Sequence, residues 1–399
     1  MTPEDFISFI AASPSPFHAA ENVESTLLDA SFQHTSTASP GGHVLVDGGA
    51  VIAWWVPENP RPRFRIVGSH TDSPGLAVKP LPDIEREGFQ QIAVEVYGGP
   101  ILQTWLDRDL TFAGRVVLDD GTVRLVNTGP VARVPNLAIH LYRSDAPTVE
   151  RQAHTQPVLG GAKPFSAVLA HAAGVEPGRI LAHELISADT QRGELLGDML
   201  AAGRLDNLSS VWASLSALLE AKDVARDVLV LAAFNHEEIG SATPTGAAGP
   251  LLERVLTSLA TQLGDPAEVF AGSLCVSADA AHSVHPNYPG KHDPTHRPVI
   301  NGGPVLKVNA NQRYASDAVT EAEWIRACRA VGVPVQTFVG NNDVPCGSTI
   351  GPISATRLGI PTVDVGVPLL SMHSARELCG VRDMEWFTTA LASFYRGEY

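Results

Sequence analysis

The sequence has few cysteines, and none lies close to another. Its four cysteines are widely spaced, without a C-x-x-C pair: Cys275, Cys328, Cys346 and Cys379. Neither a thiolate zinc site nor a dithiol redox motif is therefore indicated. Basic residues are also in the minority, because 43 Asp and Glu against 28 Lys and Arg leave a formal net charge of -15. This balance disfavours nucleic acid and anionic membrane as partners.

Long apolar runs and the features of a secretory leader are missing as well. No apolar run approaches the roughly 20 residues that a helix needs to span a bilayer. The first six residues carry acidic side chains where a secretory signal carries basic ones. We therefore expect a soluble, cytoplasmic protein. At 399 residues the chain exceeds the usual size of one hydrophobic core, which predicts two domains.

The pattern of apolar residues predicts an α/β fold with a β-rich insertion. Helices are predicted over 3–12, 19–30, 206–221, 250–263, 317–331 and 384–395. Strands are predicted within 43–56 and over 64–67, 91–97, 111–118, 122–126, 227–234, 274–278, 335–339 and 362–365. The alternation of helices and strands after about residue 193 is typical of a largely parallel sheet. The simplest architecture is a discontinuous α/β domain, 1–79 and 203–399, interrupted by a β-rich domain, 80–202.

Two adjacent carboxylates, Glu237 and Glu238, follow the strand predicted over 227–234. Side chains alternate along an extended chain, so these two should point in different directions at the mouth of the sheet, where α/β folds bind ligands. One carboxylate can then hold a metal while the other handles a proton, which suits metal-assisted hydrolysis. The alternative is a solvated acidic loop, which fits poorly after a deeply apolar strand.

Other polar side chains lie at the ends of predicted strands or at a helix start. His70 and Asp72 are two residues apart just past a strand, so the carboxylate can orient the imidazole for a metal. Asp206 begins a predicted helix, where the alternative is an N-cap. Asp279 ends a predicted strand, where the alternative is a turn residue. His373 also follows a predicted strand, and its alternative is a histidine buried in the core.

Together these positions supply two histidines and three carboxylates, a mixed N/O set that suits paired zinc ions. The candidate ligands are His70, Asp206, Glu238, Asp279 and His373.

Six motifs follow one another along the chain: His70-Thr71-Asp72-Ser73-Pro74, Gly203-Arg204-Leu205-Asp206-Asn207, His236-Glu237-Glu238-Ile239-Gly240-Ser241, Ser277-Ala278-Asp279, Asn301-Gly302-Gly303-Pro304 and Met372-His373-Ser374. In this order they resemble the aspartyl aminopeptidase family of dizinc metallopeptidases over nearly the whole chain. The resemblance implies a mostly parallel-sheet zinc-peptidase domain, 1–79 and 203–399, interrupted by a dimerisation domain, 80–202. It also implies a dodecamer built from dimers.

The resemblance assigns a role to each candidate residue. It implies two Zn2+ per subunit, the first held by His70 and Asp279, the second by Glu238 and His373, with Asp206 bridging them. Glu237 is then left as the catalytic base. Asp72 joins the catalytic residues because its carboxylate can orient His70.

The substrate is expected to be a peptide with Asp or Glu at its amino terminus. Lys307 is flanked by apolar residues, and a cation there can receive an acidic side chain. The alternative is a lysine that points to solvent from an edge strand. The resemblance implies that His282 and Lys307 contact the acidic side chain of the substrate.

His140 belongs to the inserted region, where its plain interpretation is a strand histidine at a subunit contact. The resemblance implies that it reaches a neighbouring subunit's active site and assists catalysis there. Two other functions stay open: an aminopeptidase of broad or neutral specificity, and a non-catalytic assembly or binding protein. Glu237 argues against the second, because a structural metal site needs no free carboxylate.

Overall fold

The computed structural model describes residues 2–35, 37–142 and 148–399. Its helices are α1 Pro3–Ala12, α2 Pro16–Asp29, α3 Phe165–Ala173, α4 Leu205–Ala221, α5 Leu251–Leu263, α6 Pro266–Ala271, α7 Ala318–Ala330, α8 Ile350–Leu358 and α9 Val381–Arg396. Its strands are β1 Gly41–Asp47, β2 Ala50–Val56, β3 Arg61–His70, β4 Gly75–Arg86, β5 Phe89–Tyr97, β6 Leu110–Leu118, β7 Val123–Asn127, β8 Ala132–Arg133, β9 Val158–Leu159, β10 Ile180–Asp189, β11 Glu194–Leu196, β12 Met199–Ala202, β13 Asp227–Phe234, β14 Leu274–Ala278, β15 Ala281–His282, β16 Val305–Val308, β17 Gln336–Val339, β18 Thr362–Gly366, β19 Pro368–Leu370 and β20 Glu377–Gly380. Across these described residues, no helix has the length and apolar character that a membrane span requires.

The largest sheet has eight strands in the order β1-β2-β13-β3-β14-β18-β16-β17. Its central strands β13, β3, β14 and β18 run parallel to one another. Strand β13 is buried in every residue, as expected when helices cover both faces of a sheet. Helices α1, α2, α4, α7 and α9 pack on one face, and α5, α6 and α8 on the other. The predicted α/β fold with a mostly parallel sheet is confirmed.

The ends of these parallel strands are aligned, which decides where polar side chains meet. His70, the last residue of β3, lies opposite Phe234, the last residue of β13. At the other end of β13, Asp227 is fully buried and accepts hydrogen bonds of 2.8 Å from Arg63 and Arg65 of β3. Charged hydrogen bonds of this kind favour one geometry, so they stabilise the register of β3 against β13. The residues that follow β3, β13 and β14 therefore lie together at the carboxyl ends of these parallel strands.

A second sheet is formed by strands between residues 75 and 189. Its order is β10-β4-β5-β9-β8-β6-β7, and a further pairing joins β10 to β6, so the sheet closes on itself. Strand β4 was not predicted, because it contains Pro80 and Pro82 and its pairing with β5 shifts between Val78 and Asp83. It also crosses the predicted boundary after residue 79. The domain limits and the dimerisation role of this region stay predictions.

A third sheet is small and joins segments that are far apart in the sequence. Its order is β11-β12-β20-β19-β15. Strand β12 leads into α4 and Asp206, the connection from β19 to β20 carries His373, and β15 ends at His282. These strands have only two to four residues each, too few for a period of alternation to be recognised in sequence.

Candidate metal centre

Metal-ligating side chains gather at the edge of the eight-stranded sheet. His70 ends β3, and Asp279 comes directly after β14. Glu237 and Glu238 follow β13 in a short 3-10 turn, Glu237–Ile239. The sequence places all four at the carboxyl ends of parallel strands, and the structure brings them to one place.

Asp206 reaches the same place from the small sheet and does not cap α4. Arg204 precedes it with a positive φ of 60°, and Asp206 itself has non-helical dihedrals, φ -82° and ψ 103°. Its Oδ1 lies 3.4 Å from Nε2 of His70, and its Oδ2 lies 3.4 Å from Nε2 of His373. The N-cap alternative for Asp206 is therefore wrong, because the carboxylate lies between two imidazoles.

Two groups of three side chains share Asp206. One is His70, Asp206 and Asp279, and the other is Asp206, Glu238 and His373; within each group the ligand atoms lie within 4.8 Å of one another. These groups contain the same residues as the two predicted zinc sets. A third group that meets the same criterion combines His70 with Glu237 and Glu238.

The chemistry of these groups fits zinc. Imidazole nitrogen and carboxylate oxygen are both ordinary zinc ligands. Oδ1 of Asp206 and Oε1 of Glu238 are buried without a hydrogen-bond partner. A buried carboxylate oxygen without a partner is costly, and a metal cation removes that cost. The donor set and the unpaired oxygens therefore suit the binding of divalent metal.

The charged groups also shift one another's pKa values. Burial raises the pKa of Glu237 to about 8, although the charge of His70 opposes the shift. Burial disfavours charge on His373, but its hydrogen bond with Asp206 and the charge of Glu238 raise its pKa to about 10. The two shifts have different causes: burial disfavours the charged form of Glu237, whereas the neighbouring carboxylates favour the charged form of His373.

Asp72 holds the two glutamates and His70 in place. Its Oδ1 accepts a hydrogen bond of 3.0 Å from the backbone N–H of Glu237, and its Oδ2 accepts one of 3.1 Å from that of Glu238. The hydroxyl of Tyr97 donates to the same Oδ2 at 2.7 Å. Nδ1 of His70 lies 3.4 Å from Oδ1 and 3.0 Å from the backbone oxygen of Asp72. The expected contact between Asp72 and His70 is present. Asp72 also stabilises the 3-10 turn that carries Glu237 and Glu238.

The two glutamates differ in their access to solvent. The Glu237 side chain is 16% exposed, whereas that of Glu238 is 4% exposed. The more accessible carboxylate is the better candidate for exchanging protons with a substrate.

Sequence reasoning missed Glu377 and Tyr97, which support the cluster from outside. Glu377 is buried at the start of β20, where burial raises its pKa to about 8. In the sequence, the only indication that Glu377 is buried is that the apolar Leu378 and Cys379 follow it. Tyr97 ends β5, and Gly99 just after it accepts a hydrogen bond of 3.0 Å from Nδ1 of His373. No spacing between residues in the sequence marks Glu377 or Tyr97 as a neighbour of the cluster.

Lys307 lies beside the cluster and is not a surface lysine. It belongs to β16, which pairs with strands on both sides, and it is 2% exposed. The solvent-facing alternative is therefore wrong. Its Nζ donates to the backbone oxygens of Asp279 and Ala280 at 2.9 and 3.1 Å, and it lies 3.8 Å from Oδ2 of Asp279.

His282 neighbours Lys307 and is open to solvent. Its ring is exposed and meets Phe338 edge to face, with 5.7 Å between ring centroids. Protein atoms nevertheless surround the ring closely enough that desolvation, followed by the charge of Lys307, lowers its pKa to about 4. A neutral imidazole can donate one hydrogen bond and accept another.

His140 lies apart from these groups. It is not a strand histidine, as its plain interpretation had it, but lies in a 3-10 turn, Ile139–Leu141. The residues on either side of it are exposed, Ile139 at 61% and Leu141 at 72%. His140 is in none of the metal-ligating groups found among the described residues.

Comparisons with known proteins agree over nearly the whole chain. A family model described as aminopeptidase I zinc metalloprotease (M18) matches residues 9–395. A relative from Streptomyces avermitilis, named probable M18 family aminopeptidase 2, is 48% identical over 420 aligned residues, which cover 99% of this chain and 97% of the relative.

Solved structures show the same similarity. A chain in the cryo-EM structure of the Ape4 and Nbr1 complex superposes with a TM-score of 0.94 at 34% identity, over 98% of this chain and 85% of that one. The mApe1 dodecamer of S. cerevisiae gives a TM-score of 0.87 at 28% identity, over 98% of this chain and 95% of that one.

Zinc should stabilise this protein through Asp206. We expect Zn2+ at 100 times its wild-type dissociation constant to raise the free energy of unfolding of chelator-stripped protein by about 2.7 kcal/mol for each ion bound. Asp206→Asn should lose most of this gain, because both groups share that carboxylate. Urea unfolding with and without Zn2+ measures the effect. Asp198→Asn, an exposed change in the β11–β12 turn, is the control. A full gain in Asp206→Asn contradicts the prediction.

Proposed function

The chain belongs to the M18 family of aminopeptidase I zinc metalloproteases, and from this premise we propose that it removes amino-terminal Asp or Glu from peptides. Its activity as a zinc-dependent aminopeptidase is that of the family, and the kinship predicted from the six motifs is confirmed at that level. The acidic preference, the role of each site residue and the assembly are the proposed parts.

The proposed zinc ligands are those of the two groups that share Asp206. His70 and Asp279 would hold one ion, Glu238 and His373 would hold the other, and Asp206 belongs to both groups. Bound zinc supplies the Lewis acidity that makes water nucleophilic near neutral pH and polarises the scissile carbonyl. The observation that carries this assignment is the 3.4 Å approach of each Asp206 oxygen to a different imidazole.

Glu237 moves the proton. Its carboxylate takes a proton from the attacking water and returns it to the nitrogen of the departing amine, so the peptide bond is replaced by a carboxylate and an amine. Its side chain is 16% exposed, against 4% for Glu238, so it is the carboxylate of the pair that a substrate can reach. Asp72 keeps Glu237 in position through the backbone hydrogen bond of 3.0 Å.

Replacing the proposed base should separate catalysis from metal binding. Glu237→Gln keeps the shape of the side chain but cannot take the proton, so we expect kcat to fall by about 10²- to 10⁴-fold. Zinc content per chain should stay at the wild-type value. Steady-state kinetics and metal analysis of the same preparation measure both, with the exposed Glu385→Gln as control. Unchanged kcat would remove Glu237 from the mechanism.

The acidic preference rests on Lys307 and His282. Lys307 is a buried cation that uses two of its three N–H donors on the backbone oxygens of Asp279 and Ala280. The remaining donor and the positive charge lie next to the proposed zinc site. A carboxylate on the first residue of the substrate would pair with this charge, and the neutral ring of His282 offers a second hydrogen bond.

Removing the charge of Lys307 should weaken selection for acidic substrates. For Lys307→Met we expect the ratio of kcat/KM for Asp over Leu anilides to fall by about 10- to 100-fold, the loss of one charged hydrogen bond. Lys163→Met, at an exposed position, should keep the ratio. If the variant retains zinc and the ratio is unchanged, Lys307 does not select the acidic side chain. If wild-type protein hydrolyses both anilides equally, the enzyme has the broad specificity of the alternative prediction.

Self-association is also proposed, as a dodecamer built from dimers. The structural match to a chain of the mApe1 dodecamer covers 98% of this chain, which supports such an assembly. Leu137, Ile139 and Leu141 flank His140 in sequence and expose their apolar side chains, and several exposed apolar residues in one segment are typical of a contact surface. In this proposal His140 assists catalysis in a neighbouring subunit. A cytoplasmic location stays a prediction.

Coexpression tests whether His140 acts on another subunit. We expect His140→Ala to lower kcat by about 10²-fold, comparable to the loss of one transition-state donor. When His140→Ala and Glu237→Gln chains assemble together, some sites receive an intact residue of each kind, and activity should exceed the sum of the separate variants. Light scattering checks the assembly size. No gain over His140→Ala alone would contradict the proposal.

A further inference from the structure

Glu377 lies between the two chain segments that carry Asp206 and His373. It begins β20, the strand of the small sheet that pairs with β12 on one side and β19 on the other. Strand β12 leads within a few residues to Asp206, and Glu377 lies opposite its last residue, Ala202. Strand β19 leads to His373, which precedes Glu377 by four positions.

The Glu377 carboxylate contacts both of these segments at their metal-ligating residues. Its Oε2 accepts a hydrogen bond of 3.0 Å from the backbone N–H of Asp206. Its Oε1 accepts one of 2.7 Å from the backbone N–H of His373. The side chain is 2% exposed, so solvent does not compete for these bonds. One rigid carboxylate thus fixes the distance between two backbones.

The segments that it holds are not in regular secondary structure. Asp206 and Asn207 have non-helical dihedrals at the start of α4, and a helix start leaves N–H groups without intrahelical partners. His373 and Ser371 both have positive φ, 67° and 58°, a conformation that costs free energy outside glycine. Neither segment has a ladder of its own that would fix these residues.

We propose that Glu377 is a positioning residue that sets the spacing of Asp206 and His373 and thereby the affinity for zinc. This inference rests on the proposed metal site but adds a residue that touches no metal. Groups that orient metal ligands from outside usually change affinity by about 10- to 100-fold when they are replaced.

Glu377→Gln tests the role, because the amide has one acceptor where the carboxylate has two. We expect the zinc dissociation constant, measured by chelator competition, to rise by about 10- to 100-fold. The rise in Tm that Zn2+ causes in metal-free protein should shrink accordingly. A merely structural residue would lower Tm equally with and without Zn2+. If Glu377→Gln does not fold, Glu377→Asp, which shortens the reach of the carboxylate, carries the same test.

Asp383 provides a matched control. Its buried carboxylate also accepts two backbone N–H groups, from Asn301 at 2.6 Å and Gly303 at 2.8 Å, and neither residue belongs to a metal-ligating group. Asp383→Asn should lower Tm but leave zinc affinity unchanged. The proposal is overturned if Glu377→Gln, or Glu377→Asp in its place, behaves like Asp383→Asn.

Asp206→Asn separates this proposal from the metal site itself. If Asp206→Asn binds zinc like the wild type, the site assignment fails and the role of Glu377 fails with it. If Asp206→Asn loses zinc while the Glu377 variants bind it normally, only the positioning role fails.

Discussion

The site depends on one carboxylate placed between two imidazoles. Each oxygen of Asp206 faces a different histidine at 3.4 Å, His70 on one side and His373 on the other. Like charges and buried polar atoms in such a cluster are costly unless cations balance them. Oδ1 of Asp206 and Oε1 of Glu238 are buried without a hydrogen-bond partner, and a divalent cation bound here would remove that cost.

The fold supplies this arrangement by joining the edges of three sheets. Parallel strands of the large sheet deliver His70 and Asp279 together, since their carboxyl ends are aligned. The small sheet brings Asp206 and His373 from segments separated by more than a hundred residues in sequence. The sheet formed between residues 75 and 189 contributes Tyr97, whose hydroxyl bonds Asp72. The geometry of this cluster therefore depends on segments from the whole length of the chain.

Much of this could be predicted from sequence, and the exceptions have physical causes. Glu237 and Glu238 follow a long apolar strand, so their position was recognisable from periodicity. Strand β4 was missed because its prolines interrupt the alternation, and the small sheet because its strands are too short. Glu377 was missed because its partners are backbone N–H groups, which no residue pattern reveals.

Anomalous diffraction at the zinc edge, on crystals of the zinc-loaded protein, tests the central claim most directly. Two peaks per chain are predicted, one beside His70 and Asp279 and the other beside Glu238 and His373, with Asp206 coordinating both. A single peak, or two peaks that leave Asp206 uncoordinated, would contradict the account.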